Sequence, residues 1–239
     1  MTKREVRRQI KAKAKEQLAN NWIYLVLVTL PAVIFGWIGD RAFQTIDTVA
    51  IANGQFPWLD GTGNYLSVGD GSAMGILAFF AGTAATYSLL NFFRTEEKQA
   101  HPFLQSIEVY REKGLFLGTI GVGLLQFIWT VLWTMLFFVP GIIKGLAYSQ
   151  AFYVYKDAKA NGEAIRFRDA ITRSRQLMNG HKWEYFVLIL SFLGWLILAN
   201  LVFGLGMIIL LPYMYLTYAG FYDYLKQDLA AKQAEAAAE

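Results

Sequence analysis

The sequence predicts an all-α membrane protein in which six transmembrane helices form three hairpins, each preceded by a cytosolic amphipathic helix. Of the 239 residues, 55% are hydrophobic, which leaves too few polar side chains to cover a soluble domain. The apolar residues are gathered in runs of about 20, the length that crosses a bilayer core of roughly 30 Å as a helix. Basic, polar segments alternate with these runs, as expected for loops outside the bilayer.

The predicted spans follow the apolar runs and the glycines and prolines that interrupt them. Pro31 lies inside the first run, and Gly204-Leu205-Gly206 joins the last two. We expect residues 1–226 to form one membrane domain, residues 40–71 an external loop, and residues 227–239 a flexible cytosolic tail. The predicted spans are residues 22–39, 72–93, 115–139, 140–156, 183–203 and 207–224.

The fourth predicted span is the shortest, and it begins at Pro140-Gly141, where the preceding helix should break. Its length is at the lower limit for crossing a bilayer, so a re-entrant half-helix is the alternative. A re-entrant segment would place the basic residues of 156–182 outside the cell. The positive-inside rule disfavours that arrangement, and a full span is therefore predicted.

Three polar segments have the periodicity of amphipathic helices. The N-terminal segment carries seven Lys and Arg residues, and it is predicted to rest on anionic lipid headgroups. A nucleic-acid-binding arm is the alternative for this segment. The headgroup interpretation is favoured, so no nucleic-acid partner is predicted. The second segment begins near Pro102 and the third near Phe167. The three predicted apolar faces are Val6, Ile10, Ala14 and Leu18; Phe103, Leu104, Ile107 and Tyr110; and Phe167, Ala170, Ile171, Ser174, Leu177 and Met178.

The distribution of charge predicts that both termini are cytoplasmic. With six spans, the cytosolic segments hold 20 of the 22 Lys and Arg residues. Of the other two, Arg41 is in the external loop and Lys144 is in the fourth span. This asymmetry favours a multi-pass protein of the plasma membrane whose basic face meets anionic headgroups.

Similar amino-acid sequences near the ends of the second, fourth and sixth predicted spans predict an internal repeat. The three stretches are YSLLNFF from Tyr87, YSQAFYVY from Tyr148 and TYAGFYDY from Thr217. Residues 151–155 align without gaps with residues 220–224. Parallel repeats are common in membrane folds, so three related units are predicted.

No pattern of catalytic or cofactor-binding residues is present, and a non-enzymatic protein without cofactor or metal is predicted. The chain has no cysteine, and its two histidines, His101 and His181, are far apart in the sequence. HExxH, GxSxG, P-loop and GxGxxG patterns are missing. No Asp or Glu lies in the central part of a span, where ion-coupled carriers and intramembrane enzymes need one.

Two sets of polar residues are the candidates for function. The first lies within the spans, where amides can join helices or line a polar pathway and a lysine can extend to the headgroups. The second lies on the third amphipathic helix and is a candidate for binding headgroups or a partner. The first set is Gln126, Lys144, Gln150 and Asn200; the second is Arg166, Arg168, Arg173, Arg175 and His181.

The C-terminal half contains a recognisable series of residues. It comprises Pro140 to Ser149 (PGIIKGLAYS), Ser174, Met178, Gly180, Lys182, Leu190 to Trp195 (LSFLGW), Gly204-Leu205-Gly206, Pro212-Tyr213, Thr217 and Phe221-Tyr222. This series resembles a bacterial family of integral membrane proteins known as domain of unknown function 975, over about residues 94–226. The family has no known reaction or ligand, so the resemblance implies only a multi-span bacterial plasma-membrane protein.

The leading functional prediction is a membrane-embedded interaction or accessory protein with a basic cytosolic face. The alternative is a small-molecule or lipid transporter built on the internal repeat. The absence of Asp and Glu from the central part of the spans disfavours ion-coupled transport, whereas uncoupled transport is compatible with the sequence.

Overall fold

The computed structural model describes residues 2–52, 69–112, 114–201 and 204–238, and every regular element in those ranges is a helix. The all-α prediction is therefore confirmed. The helices are α1 (Lys3–Ala52), α2 (Gly69–Thr95), α3 (Gln105–Glu108), α4 (Leu115–Leu136), α5 (Phe138–Tyr148), α6 (Ala151–Ala160), α7 (Phe167–Leu177), α8 (Lys182–Leu190), α9 (Leu193–Leu201) and α10 (Met207–Ala238).

Four stretches of the described residues are helical, long and apolar enough to cross a membrane. They coincide with the first, second, third and fifth predicted spans. Many large apolar side chains on these helices face outward, among them Phe127, Met135 and Leu201. An apolar surface of this extent indicates a membrane protein. The four stretches are Lys3–Ile38, Ala73–Thr95, Leu115–Leu136 and Lys182–Ala199.

Two predicted spans are each divided into two shorter helices. The fourth, residues 140–156, breaks at Ser149 between α5 and α6, and the fifth breaks at Ser191 between α8 and α9. At each break the serine hydroxyl donates to the carbonyl three residues earlier: Ser149 to Leu146 at 2.9 Å and Ser191 to Leu188 at 2.5 Å. Such local bonds compete with the backbone ladder of a helix, and they mark both interruptions.

The predicted helix break at Pro140-Gly141 is wrong, because the chain breaks three residues earlier. α4 ends at Leu136, and Phe137 has extended backbone angles (φ −156°, ψ 132°). Pro140 then lies in the first turn of α5, where its missing N–H would have had no acceptor within the helix.

α1 combines the N-terminal amphipathic segment and the first predicted span in one continuous element. Its backbone departs from helical angles at Asn21 (φ −136°, ψ 29°), while Pro31 stays inside the helix. The Asn21 amide donates to the Gln17 carbonyl at 3.3 Å. α1 continues to Ala52, so residues 40–52 of the predicted external loop are helical; residues 53–68 of that loop lie outside the described residues.

The predicted flexible tail is helical as far as the structure describes it, because α10 runs to Ala238. Its first turn has tertiary partners: Asp228 Oδ2 lies 3.0 Å from His181 Nε2, and Leu229 packs against the core. The Ala, Glu, Gln and Lys residues that follow are strong helix formers, so the helix continues beyond those contacts.

The second predicted amphipathic segment does not form one continuous α-helix. α3 lies between two 3₁₀ turns, Pro102–Leu104 and Val109–Arg111, and three residues per turn align different side chains from an α-helix. Val109 and Gln105 are buried, whereas only Tyr110 of the predicted face is packed, with its hydroxyl donating to the Phe80 carbonyl at 2.7 Å. The exposed members are Phe103, Leu104 and Ile107.

The core lies toward the end of the molecule where α6, α7 and the N-terminal part of α1 meet α2 and α10. Fully buried aromatic side chains there include Tyr87, Phe92 and Phe221, and Ile10 and Ala14 of α1 pack among them. At the opposite end, around the connection between α4 and α5, the apolar side chains are largely exposed.

α4 and α5 pack as an antiparallel pair through glycines. A Cβ atom on Gly141 would lie 2.7 Å from the Thr134 Cα, closer than real Cβ contacts allow. The same atom on Gly145 would lie 3.8 Å from Thr130, an ordinary contact. The close approach therefore depends on one glycine of this GxxxG pair, and it is made within the chain.

Gly141→Ala should lower the thermal midpoint of the purified protein in detergent. The added methyl has to push apart α4 and α5, which costs about 1–3 kcal/mol. Gly145→Ala is the matched control, because its methyl has room and alanine favours the helix by up to about 1 kcal/mol. Equal changes in the two midpoints would contradict the proposed packing.

Candidate functional site

The most highly bonded polar group at the core end is the carboxylate of Asp157, on the last turns of α6. Arg94, at the end of α2, donates to it through both terminal nitrogens, at 2.8 and 3.0 Å. From α10, Lys226 Nζ lies 2.7 Å away and the Tyr222 hydroxyl 3.0 Å away. Four donors from two other helices therefore converge on one carboxylate.

Arg94 also joins a second carboxylate. Its Nε donates to Asp223 Oδ1 at 3.0 Å, and its Nη2 lies 2.5 Å from the same oxygen. We call Arg94, Asp157, Asp223 and Lys226 the charged junction. It connects α2, α6 and α10 through charge-assisted, partly bidentate hydrogen bonds, which are among the strongest in proteins.

The charged junction changes the acidity of its central carboxyl group. Burial alone would raise the pKa of Asp157, but the hydrogen bonds and charges of Arg94 and Lys226 outweigh burial and hold this pKa below its ordinary value. Asp157 is therefore ionised at neutral pH. Its stabilising effect is complete above the ordinary carboxyl pKa and is lost as the pH falls through the lowered pKa of the folded state.

A buried lysine lies beside the charged junction. Lys156 is 2% exposed, and its ammonium donates to the Tyr87 carbonyl of α2 at 2.6 Å. The Tyr87 hydroxyl lies 3.0 Å from the Thr119 hydroxyl of α4. These bonds tie α6 to α2 and α2 to α4, so the polar contacts extend across the core end.

A second polar group contains His181, which the sequence placed among the headgroup-binding residues. That assignment is corrected, because the ring is only 4% exposed and lies edge-on to Tyr224. Its Nε2 lies 3.0 Å from Asp228, and its Nδ1 lies 3.2 Å from Glu184, which also pairs with Lys3 at 2.5 Å. His181 therefore joins α8 to α10 inside the protein, and Glu184 links this group to α1 through Lys3.

The four arginines predicted with His181 are all exposed, and all lie on or next to α7. We call them the arginine surface. Arg173 donates to both oxygens of Glu163, whereas Arg166, Arg168 and Arg175 form no ion pair within the described part of the chain. The arginine surface consists of Arg166, Arg168, Arg173 and Arg175.

The predicted intramembrane residues have different surroundings. The Lys144 ammonium lies 4.5 Å from the centre of the Trp133 ring, a cation–π contact typical of an interfacial lysine. Gln150 is fully buried and donates to the Ser149 hydroxyl at 2.9 Å. The side-chain oxygen of Gln126 is buried, with no hydrogen-bond partner among the described residues. The Asn200 side chain lies outside the described residues.

Sequence reasoning missed the charged junction, because it counted basic residues for topology without pairing them. A signal was present in the sequence, because each of the three similar stretches contains, or is closely followed by, one residue of the charged junction. These residues are Arg94, Asp157 and Asp223. Opposite charges beside stretches of similar sequence are candidates for pairing. In the residues that the structure describes, no group of three His, Asp or Glu side chains is placed to hold a metal ion.

Comparison with known proteins adds one match. Residues 124–228 match the family model described as Protein of unknown function (DUF975). The predicted resemblance is confirmed over this segment. The DUF975 segment includes Asp157, Asp223 and Lys226 of the charged junction, whereas Arg94 precedes it. The chain matches no curated protein and no solved structure.

Asp157→Asn should destabilise the protein by about 2 kcal/mol at neutral pH, because it removes the charge of a buried carboxylate to which Arg94 and Lys226 are hydrogen-bonded. The difference from the wild type should begin to shrink below about pH 4, the ordinary carboxyl pKa, and should continue to shrink as the pH falls toward the lowered pKa of the folded-state carboxyl. Thermal midpoints in detergent from pH 3 to 7 measure this. Glu163→Gln, which removes an exposed pair, should change little at any pH, and a pH-independent effect of Asp157→Asn would contradict the role assigned to its charge.

Proposed function

We propose that the chain is a non-enzymatic, multi-span plasma-membrane protein that presents the arginine surface to anionic headgroups or to an acidic partner at the cytosolic face. The proposal rests mainly on one observation: α7 buries one face in the protein, while three arginines on or next to it are exposed and form no ion pair among the described residues. Unpaired guanidinium groups on a fixed helix are suited to phosphate or carboxylate groups. Such a protein acts as an interaction or accessory component of the membrane.

The attachment of α7 supports this role, because its buried side is bonded to the neighbouring helices. The Ser174 hydroxyl donates to the Ala147 carbonyl at 2.8 Å and accepts from the Gln150 N–H at 3.2 Å. The Phe167 ring occupies the space beside Gly121, where any Cβ would lie 2.4 Å from it. A helix held at both ends positions its charges with little loss of entropy on binding.

A six-span arrangement with both termini in the cytoplasm is part of the proposal. The packing of α8 and α9 against α10 supports a hairpin, because Tyr185 stacks on Phe221 and Phe192 lies edge-on to Tyr213. The internal repeat has support from an aromatic pair. Tyr153 and Tyr222, which align in the repeat, stack with ring centres 5.1 Å apart.

Single cysteines can test the topology, since the natural chain has none. Asn161→Cys, in the loop before α7, should react with a membrane-impermeant maleimide only after the cells are permeabilised. Leu205→Cys, at the connection between α9 and α10, should react in intact cells. Both sites are exposed, so equal labelling from the same side would contradict the six-span arrangement.

The arginine surface can be tested in nanodiscs with a spin label on Thr172→Cys, an exposed position of α7. Raising the phosphatidylglycerol fraction should immobilise the label. Arg168→Gln or Arg175→Gln should each weaken this response, by about 1 kcal/mol of binding free energy at moderate salt. Arg173→Gln is the matched control, because its guanidinium already bonds to Glu163 and should matter least. A response that is insensitive to lipid charge would rule out headgroup binding.

A small-molecule or lipid transporter remains the second candidate. It is favoured by the buried side-chain oxygens of Gln126 and Gln150, which have no hydrogen-bond partner among the described residues. The pairing of α4 with the helices that follow argues against a pathway. Phe152 packs beside Gly123, so the antiparallel register puts Gln126 at the level of Ser149 and Gln150. Two amides at one depth form a polar layer within the protein and do not line a route across a bilayer.

A further inference from the structure

An apolar groove of about 710 Å³ lies between α9, α10 and the N-terminal part of α1. A cavity of this size is within the range of about 300–1,000 Å³ that is typical of ligand sites. Gly206 approaches Ala199 along the groove, where an added Cβ would lie 2.7 Å from the Ala199 Cα. Large apolar side chains form the remaining walls: Leu18, Trp195, Leu198, Ile209, Leu210 and Tyr213.

Lys15 is the single charged residue among those that line the groove. It is exposed, and within the described part of the chain it makes no hydrogen bond or ion pair. Lys11 lies one turn earlier on the same side of α1, with its ammonium 2.5 Å from the Ser191 hydroxyl and 4.3 Å from the centre of the Phe192 ring. Lys15 therefore places one ammonium group at the α1 side of the groove, and Lys11 carries a second one helical turn away. Among the described residues no acidic side chain lines the groove.

We propose that this groove binds one anionic phospholipid, with an acyl chain against Trp195, Leu198 and Ile209 and the phosphate beside Lys15 and Lys11. A phospholipid can cover the apolar walls with its acyl chain, whereas a free phosphate ion would leave them uncovered. The two ammonium groups favour a headgroup with net negative charge over a zwitterionic one. The site uses elements other than α7, so this inference goes beyond the arginine surface.

The contribution of the lysine charge to lipid binding can be tested by native mass spectrometry. The delipidated full-length protein is titrated with phosphatidylglycerol and with phosphatidylcholine of identical acyl chains. The wild type should retain one phosphatidylglycerol in preference to phosphatidylcholine. Lys15→Gln should reduce this preference by about fivefold, whereas Lys15→Arg should keep it. Lys13→Gln is the matched control: it makes the same charge change on the same helix, but Lys13 lies over the Phe93 ring and outside the groove.

The position of the acyl chain can be tested by filling the groove. Leu198→Trp should abolish retention of the lipid, whereas Ile197→Trp, at the neighbouring exposed position outside the groove, should not. Equal retention of the two lipids by the wild type, equal losses in Lys15→Gln and Lys13→Gln, or full retention by Leu198→Trp would each overturn the proposal. Arg168→Gln should leave the retained lipid in place, which separates this site from the arginine surface.

Discussion

The ionised carboxylate of Asp157 constrains the arrangement of the surrounding helices. A charge removed from most of its water is tolerated only when it is paired and hydrogen-bonded. Here the partners are Arg94 at the end of α2 and Lys226 on α10, so the ends of α2 and α6 must meet an inner turn of α10 at one level. Lys156 adds a bond from α6 to the Tyr87 carbonyl of α2.

The charged junction also separates the basic residues into two groups. Arg94 and Lys226 neutralise internal carboxylates, and Lys3 does the same for the buried Glu184. Cations such as Arg168 and Lys15 have no such partner in the described residues and are exposed. A count of Lys and Arg in the sequence, which is sufficient to predict topology, cannot make this separation. The second group carries the charge that no carboxylate among the described residues offsets.

The apolar helices were predictable because hydropathy and helical periodicity are local properties of the sequence. The charged junction was not, because its partners are 63 and 129 residues apart and many alternative pairings were equally compatible with the sequence. His181 was misassigned for a related reason: its polar flanks indicated exposure, but Asp228 and Glu184 bury it. Of the predicted site, the exposed arginines of α7 agree with the sequence pattern because an amphipathic helix determines which side faces outward.

The helix breaks at Ser149 and Ser191 connect local sequence patterns with contacts between residues that are distant in the sequence. An interrupted helix leaves backbone groups that need partners, most of all in a low-dielectric environment. At the first break, Ser174 of α7 accepts from the Gln150 N–H, and at the second, Lys11 of α1 donates to the Ser191 hydroxyl. At each break, the interrupted helix is thus contacted by a segment that was predicted to be amphipathic and that precedes a predicted hairpin. The amphipathic helices are consequently part of the packing of the apolar helices, and their outward faces are held in place by the same bonds.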